Sequence, residues 1–412
     1  MAFLKMTDKQ KCNCGSNEDT VVLYNFGMIP QVNNYRHIDD KGDIKKYPLI
    51  LAVCNNCKLL QLTEMPDREN IYRNYDHYSA ASINNAEHLR SVAQIINKRH
   101  DSDQVILEVG CNDGTLLKSL NSKHKIYGID PASNVYSKNV NDKFTVLHEF
   151  FDIKNMESIK SMVGGSVDII IGINVFAHND SYMEMFAAIE GLLATNGYAH
   201  VEVAYAADTV LSANFDTIYH EHFCNYTLTS LKNTVEYVGL KICDVEQINT
   251  QGGSLRVKLY KKSSKEEPSN NVDALLKKED VLGISDSDFY MELASKIDKK
   301  VEMIKSMFVE KYHDNNVLIL GSPARGVITS NVCSFEKLNK AIAFDDTNDK
   351  QGLMIPGTTI MIHHPDSIDY KKYKVACLLA WTYKDNMIKR LKDYGFKGKV
   401  FIPFPKAEYI II

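Results

Sequence analysis

The chain has 412 residues, 44% hydrophobic and 24% charged, with 48 Lys and Arg against 52 Asp and Glu and a formal net charge of −4. That length predicts two to three domains and a core large enough to fold without disulfides. The charge balance argues against a protein held on nucleic acid mainly by bulk positive charge, and leaves room for a local basic site. No uninterrupted apolar run reaches the roughly 18 residues that a membrane helix needs, and the start MAFLKMTDKQKCNCG turns polar too early for a secretory signal. No membrane or nucleic-acid partner is expected, and the cytoplasm is the expected compartment.

Four of the nine cysteines fall in the first 57 residues, as the close pairs Cys12-Asn-Cys14 and Cys54-Asn-Asn-Cys57, with Gly15 behind the first. An odd total in a reducing compartment reads as thiols, ligands or core residues. Two thiolates one to three residues apart can reach one tetrahedral metal at about 2.3 Å. The C-x-x-C pair has the usual spacing for this, and C-x-C is tighter. A redox pair would sit at a strand–helix junction, whereas KYPLILAVCNNCKLLQL reads strand, knuckle, strand. The pattern predicts a zinc-ribbon-like module holding Zn²⁺. Four thiolates leave no open position, so this metal is expected to be structural.

Residues 100–205 read as a doubly wound α/β sheet. The apolar strand Val105–Val109 runs into Gly110-Cys-Asn-Asp-Gly114, and Thr115–Leu120 follows as a helix start. The strand Lys125–Ile129 ends in Asp130, 20 residues beyond Gly110, where an acid can hold both hydroxyls of a ribose. Strands follow at Phe144–Leu147, at Val167–Ile173 ending in Asn174-Val-Phe-Ala-His178, and at Gly197–Val203. The loop is E-x-G-x-N-D-G rather than G-x-G-x-x-G. Glu108, Asp113 and Asp130 would repel a pyrophosphate, whereas they favour the sulfonium and ammonium of S-adenosylmethionine. S-adenosylmethionine is therefore preferred over a dinucleotide.

Two segments look like chemistry. Asn214–Tyr226 contains Tyr219-His220-Glu221-His222 among aromatics with no apolar period. Metal ligation, a satisfied surface loop and a general base compete there. H-E-H lacks the i, i+4 spacing of a helical metal site, and an imidazole beside a carboxylate and a phenol favours the base. The stretch Tyr72–Ser82 offers Tyr75, Tyr78 and Ser79 as hydroxyl donors, or else is an amphipathic linker helix. His178 at a strand end is either functional or structural.

Further on, Thr250–Val257 reads as a glycine-turned strand with Arg256 as an anion contact, and residues 263–310 as charged helix. A second strand–turn–helix begins at Val317 with Gly321-Ser-Pro-Ala-Arg-Gly326, and its next strand, Ala341–Phe344, ends in Asp345-Asp346. Strands are also expected at Cys377–Trp381 and Lys399–Ile402. Ser322 and Arg325 are candidate phosphate contacts.

In their order, the two cysteine pairs, EVGCNDG, NVFAH, YHEHF, TQGGSLRV, GSPARG, LLAW and FIPFPK resemble the sugar C-methyltransferases that act on nucleotide-linked 4-keto-deoxysugars. The resemblance spans nearly the whole chain. It departs in the C-x-C pair, where the family more often has C-x-x-C. It implies a zinc-binding domain over 1–75, a Rossmann-like S-adenosylmethionine domain over 76–213 and a second α/β, sugar-nucleotide-binding domain over 214–412. It implies Cys12, Cys14, Cys54 and Cys57 as zinc ligands. Glu108, Gly110, Asn112 and Asp130 would surround the cofactor, with Tyr75, Tyr78, Ser79 and Asn174 beside them. His222 would be the base, Glu221 its orienter, Tyr219 an enolate stabiliser and His178 the reserve base. Asn225, Arg256, Ser322 and Arg325 would face a thymidine- or guanosine-diphosphate sugar. The product would be a 3-C-methyl keto sugar, and a monomer is the expected state. Methylation of a sugar oxygen, or a zinc-ribbon regulator of nucleic acid, are the alternative readings.

Overall fold

The computed structural model describes residues 12–14, 20–40, 42–73, 75, 78–81, 83–100, 102–136, 142–250 and 252–412. Gly15, Asn74, Asp76, His77, Ser82 and Gln251, which belong to segments singled out above, lie outside the described residues.

Strands that read as continuous apolar runs become the middle of sheets covered on both faces. Val105–Val109 and Val167–Ile173 pair in parallel at the centre of a seven-stranded sheet. Its order is Leu240–Ile248, Ser254–Lys261, Leu193–Ala204, Val167–Ile173, Val105–Val109, Lys125–Ile129, Thr145–Leu147. Strand order reverses between the two central strands, which opens a crevice at their carboxyl ends. The pairings of Ser254–Lys261 with both of its neighbours are antiparallel, and the other pairings are parallel.

A six-stranded sheet repeats the scheme in the order Ile362–His363, Lys340–Phe344, Asn316–Leu320, Val375–Leu378, Lys399–Ile402, Glu408–Ile411. Only its last pairing is antiparallel. Its own reversal lies between Asn316–Leu320 and Val375–Leu378. The repeat extends to hydrogen bonds that sequence comparison of the halves does not reveal. Asp130 accepts from the amides of Asn112 and Ala132, both at 2.9 Å. Asp345 accepts from those of Ser322 at 2.8 Å and Thr347 at 3.0 Å.

The N-terminal module is an antiparallel sheet of Thr20–Pro30, Lys46–Cys54 and Leu60–Leu62, completed by the distant Cys224–Asn225. A two-stranded pairing of Arg36–His37 with Leu353–Met354 ties the module to the C-terminal sheet. One contiguous apolar core joins all three layers, from Leu49 and Leu51 through Tyr182 and Phe215 to Phe308 and Phe401.

Three expectations change. Thr115–Leu120 forms only a 3-10 turn at Leu117–Ser119, because Leu120 is already extended. The charged stretch is two helices, Asn270–Val281 and Ser287–Ile304, broken at Gly283 with φ +75°. The seven-stranded sheet runs on to Lys261, past the expected boundary at 213, because Ser254–Lys261 zips onto Leu193–Ala204. Among the described residues no helix is long and apolar enough to cross a membrane.

Candidate active site

The segment 214–226 runs between the two crevices. It opens with the 3-10 turn Phe215–Thr217 and ends in the strand Cys224–Asn225, which pairs with Leu60–Leu62 of the N-terminal sheet. Clamped at both ends, it carries Tyr219, Glu221 and His222, and pairs Tyr219 with His222.

His222 Nδ1 lies 3.0 Å from the Thr217 carbonyl. A carbonyl only accepts, so Nδ1 carries the proton and Nε2 is the lone pair of the neutral ring. The Tyr219 hydroxyl donates to Nε2 at 2.6 Å. His178 stacks on His222 with ring centroids 5.2 Å apart, and Tyr72 stacks on His178 at 6.0 Å. Burial, then His178 and the Arg325 guanidinium, push the His222 pKa well below its usual value. Burial also raises Tyr219, keeping the phenol protonated.

Glu221 does not orient His222 as expected. Its carboxylate accepts from Asn33 Nδ2 at 2.8 Å and from the Tyr75 hydroxyl at 3.1 Å. The side chain points the other way because Asn33, on the N-terminal module, and Tyr75 supply the donors. Burial pushes Glu221 up to about 7 against those two hydrogen bonds. An acid whose folded pKa exceeds its unfolded one binds its proton more tightly when folded. Its stability contribution is therefore present at low pH and lost as pH rises toward 7. Glu221→Gln should exceed the wild type by about 3 kcal/mol at pH 8 and match it near pH 4. Urea unfolding at the two pH values measures this, and equal stabilities at pH 8 would refute it.

The first crevice is acidic. Glu108 is buried with Oε2 unpartnered, and burial, then Asp113 and Asp130, raise its pKa strongly. Gly110 has φ +68°, and a Cβ there would come 2.5 Å from Val175 Cγ2, so only glycine fits. Asn112 Oδ1 accepts the Ser79 amide at 2.9 Å and Asp113 Oδ2 accepts the Ala80 amide at 2.7 Å, which docks the Tyr78–Ala81 turn on the loop. Asn174 sits at the neighbouring strand end with φ +55°. Tyr75, expected beside the cofactor, has its hydroxyl on Glu221 instead.

The second crevice carries cations. Lys350 Nζ is 3.6 Å from Asp345 and donates to the Ser322 carbonyl at 2.9 Å, while Tyr35 donates to the same carbonyl at 2.5 Å. Against the cost of burial, Lys350 and the two amides hold Asp345 below its usual pKa. Arg325, one turn on, lies 5.7 Å from the Trp381 ring centroid and acts electrostatically on His222 and Asp216. Ser322 is withdrawn as a phosphate contact: it is fully buried and its amide and carbonyl are taken. Arg256 does not face an anion either, since Glu202 at 2.7 Å and Glu246 at 3.0 Å, on the two strands flanking its own, hold its guanidinium. Asn225 is buried behind the site, donating to the His222 carbonyl at 3.4 Å.

The four N-terminal sulfurs lie within 4.8 Å of one another, all buried. Cys12–Cys57 and Cys14–Cys54 are each 3.7 Å apart. A tetrahedron with metal–sulfur bonds of about 2.3 Å has edges of about 3.8 Å, so the C-x-C pair closes the tetrahedron as well as C-x-x-C does.

Three family models match consecutive stretches: a "Putative zinc binding domain" over residues 12–72, a methyltransferase domain over 75–245 and a C-methyltransferase C-terminal domain over 249–405. The C-methyltransferase NovU of Streptomyces niveus is 26% identical over 407 residues, covering 97% of this chain and 96% of NovU. In this order the three matches run through nearly the whole chain, which is similar throughout to C-methyltransferases. Among solved structures, the magnesium protoporphyrin IX methyltransferase ChlM of Synechocystis PCC 6803 with bound SAH is 13% identical, with TM-score 0.34, over 43% of this chain and 83% of ChlM. A chain of the "Complex between the Haloferax volcanii Trm112 methyltransferase activator and the putative methyltransferase" is 14% identical, with TM-score 0.34, over 45% of this chain and 99% of that one.

The cofactors of this C-methyltransferase are S-adenosylmethionine and structural zinc, and the residues fit both. The orphaned Glu108 oxygen and the three acids suit a doubly cationic donor, and four thiolates suit a closed Zn²⁺ site. Sequence reasoning missed Asn33, Asp216, Thr217, Lys350 and Trp381. Only Trp381, the single tryptophan, stood out by composition.

Proposed function

We propose that this C-methyltransferase adds a methyl group to C3 of a thymidine- or guanosine-diphosphate-linked 4-keto-deoxysugar. The observation that carries the reading is the Tyr219–His222 pair set between an acidic crevice and a cationic one. The donor's cations suit the first and a diphosphate suits the second, which brings the sugar to the histidine.

A ketone at C4 acidifies the C3 hydrogen because the enolate spreads its charge onto O4. In this reading the Tyr219 hydroxyl turns from Nε2 to O4 and donates there. The freed Nε2 takes the C3 proton, and Thr217 steadies the imidazolium through Nδ1–H. His178 and Tyr72 cover the ring face and keep water off. S-adenosylmethionine, when bound, supplies the electrophilic methyl that the enolate carbon takes. Glu108, Gly110, Asn112 and Asp130 would hold it, with Tyr78, Ser79 and Asn174 closing the pocket. Arg325 would face the diphosphate.

The test is mass spectrometry of reactions in deuterated water with a panel of thymidine- and guanosine-linked 4-keto sugars and their reduced counterparts. One added methyl on keto sugars alone, with enzyme-dependent deuterium exchange at C3, is the expected result. Methylation of the reduced sugars would identify oxygen as the acceptor and overturn the reading.

A further inference from the structure

We infer that Trp381 and Asp216 form a positioning pair through which the C-terminal domain fixes the tautomer and seat of His222. The inference rests on the proposed role of His222 for its effect on rate, but not for its structural consequence.

Asp216 is fully buried. Its Oδ2 accepts the Trp381 indole N–H at 2.7 Å, and its Oδ1 has no hydrogen-bond partner. A buried carboxylate with an idle oxygen is costly, and nothing in the apolar packing of the segment calls for an acid here. Its position supplies the reason. Asp216 is the middle residue of the turn Phe215–Thr217, and the carbonyl of the next residue receives His222 Nδ1–H at 3.0 Å. Whatever orients Asp216 orients that carbonyl, and the carbonyl decides which ring nitrogen keeps the proton.

The indole is a rigid anchor. It stands just beyond the carboxyl end of Val375–Leu378, at the second crevice, with the Arg325 guanidinium over its ring. A Cβ on Gly252 would lie 3.3 Å from Trp381 Cη2 and 3.0 Å from an Arg325 terminal nitrogen, so Gly252 walls the ring in. Lys300 secures the start of the segment. Its Nζ reaches Asn214 Oδ1 at 3.4 Å and the Pro405 carbonyl at 2.8 Å, and also donates to the Ser212 carbonyl. The base is thus held by a relay from indole to carboxylate, turn carbonyl and imidazole. None of these groups but the last need touch substrate.

Three full-length variants test this: Trp381→Phe, which keeps the ring and removes the N–H; Asp216→Ala, which removes the acceptor; and Asp216→Asn, which keeps an acceptor oxygen. Trp381→Phe and Asp216→Ala should lower kcat roughly ten- to a hundredfold, the cost of a small misplacement. KM for the keto sugar and S-adenosylmethionine affinity should stay within about threefold. Asp216→Asn should recover most of the loss. In ¹⁵N spectra the His222 ring should change from one Nδ1–H tautomer in the wild type to a mixture in the two damaging variants. An unchanged His222 spectrum in Trp381→Phe, or Asp216→Asn as damaged as Asp216→Ala, would overturn the inference. If His222 proves not to be the base, kcat arguments fall but the spectral change remains, so the two failures are distinguishable.

Discussion

Replacing His222 by alanine should lower turnover roughly a hundred- to ten-thousandfold, the usual contribution of a positioned general base, with S-adenosylmethionine affinity within about threefold of wild type. The expectation follows from where the ring nitrogens point. Nδ1 is committed to Thr217 and Nε2 faces Tyr219, so one lone pair is available and its direction is fixed. Burial, His178 and Arg325 keep the ring neutral, so the base needs no deprotonation near neutral pH. The acid limb of kcat/KM should accordingly fall below the ordinary histidine value of about 6.5.

The stability sign is opposite to that of Glu221. A histidine whose folded pKa is depressed makes the folded state the weaker proton binder. Stability is therefore retained above the unfolded pKa and lost as pH drops below it. His222→Gln should be less acid-labile than wild type while equally inactive. Isothermal titration with S-adenosylmethionine, steady-state rates and acid unfolding measure the three quantities. Turnover within tenfold of wild type would move the base to His178, the nearest other imidazole.

What the sequence disclosed and what it hid divide along chain separation. Elements with local signals are legible. The strand Val105–Val109, its glycine turn and Asp130 lie within one supersecondary unit, and the four cysteines form two local pairs. The helix over Thr115–Leu120 fails because a local pattern cannot tell one 3-10 turn from the first turn of a longer helix. Glu221 departs from its expected role for another reason: neighbours in sequence need not be partners. Its donors, Asn33 and Tyr75, are 188 and 146 residues away. Arg256 looked free for an anion because Glu202, 54 residues earlier, becomes its neighbour only when the sheet zips. Trp381 and Asp216 are 165 residues apart, and neither residue alone announces a role.

Removal of zinc should abolish methyl transfer although the metal touches no reacting atom. The knuckle Cys54–Cys57 leads directly into Leu60–Leu62, and that strand pairs with Cys224–Asn225, which begins two residues after His222. The Leu62 amide donates to the Phe223 carbonyl at 2.9 Å, and His220 Nε2 meets the Pro48 carbonyl at 3.2 Å. Asn33 of the same module holds Glu221. Tyr182, on a helix of the methyltransferase sheet, has its hydroxyl 3.1 Å from Cys12 Sγ, so that thiolate is also tied to the central domain. Structural zinc contributes about 10–16 kcal/mol in small zinc domains, far more than one short strand pairing holds. The strand should follow the metal. Chelation should release one zinc per chain, raise hydrogen exchange across 219–226 and remove turnover. S-adenosylmethionine binding should survive, because the strands and loop of the first crevice (105–114, 125–130 and 167–174) belong to a sheet that includes no strand of the zinc module. Retained turnover in metal-free protein, or unchanged exchange at 219–226, would show that the catalytic segment holds its place without the zinc sheet.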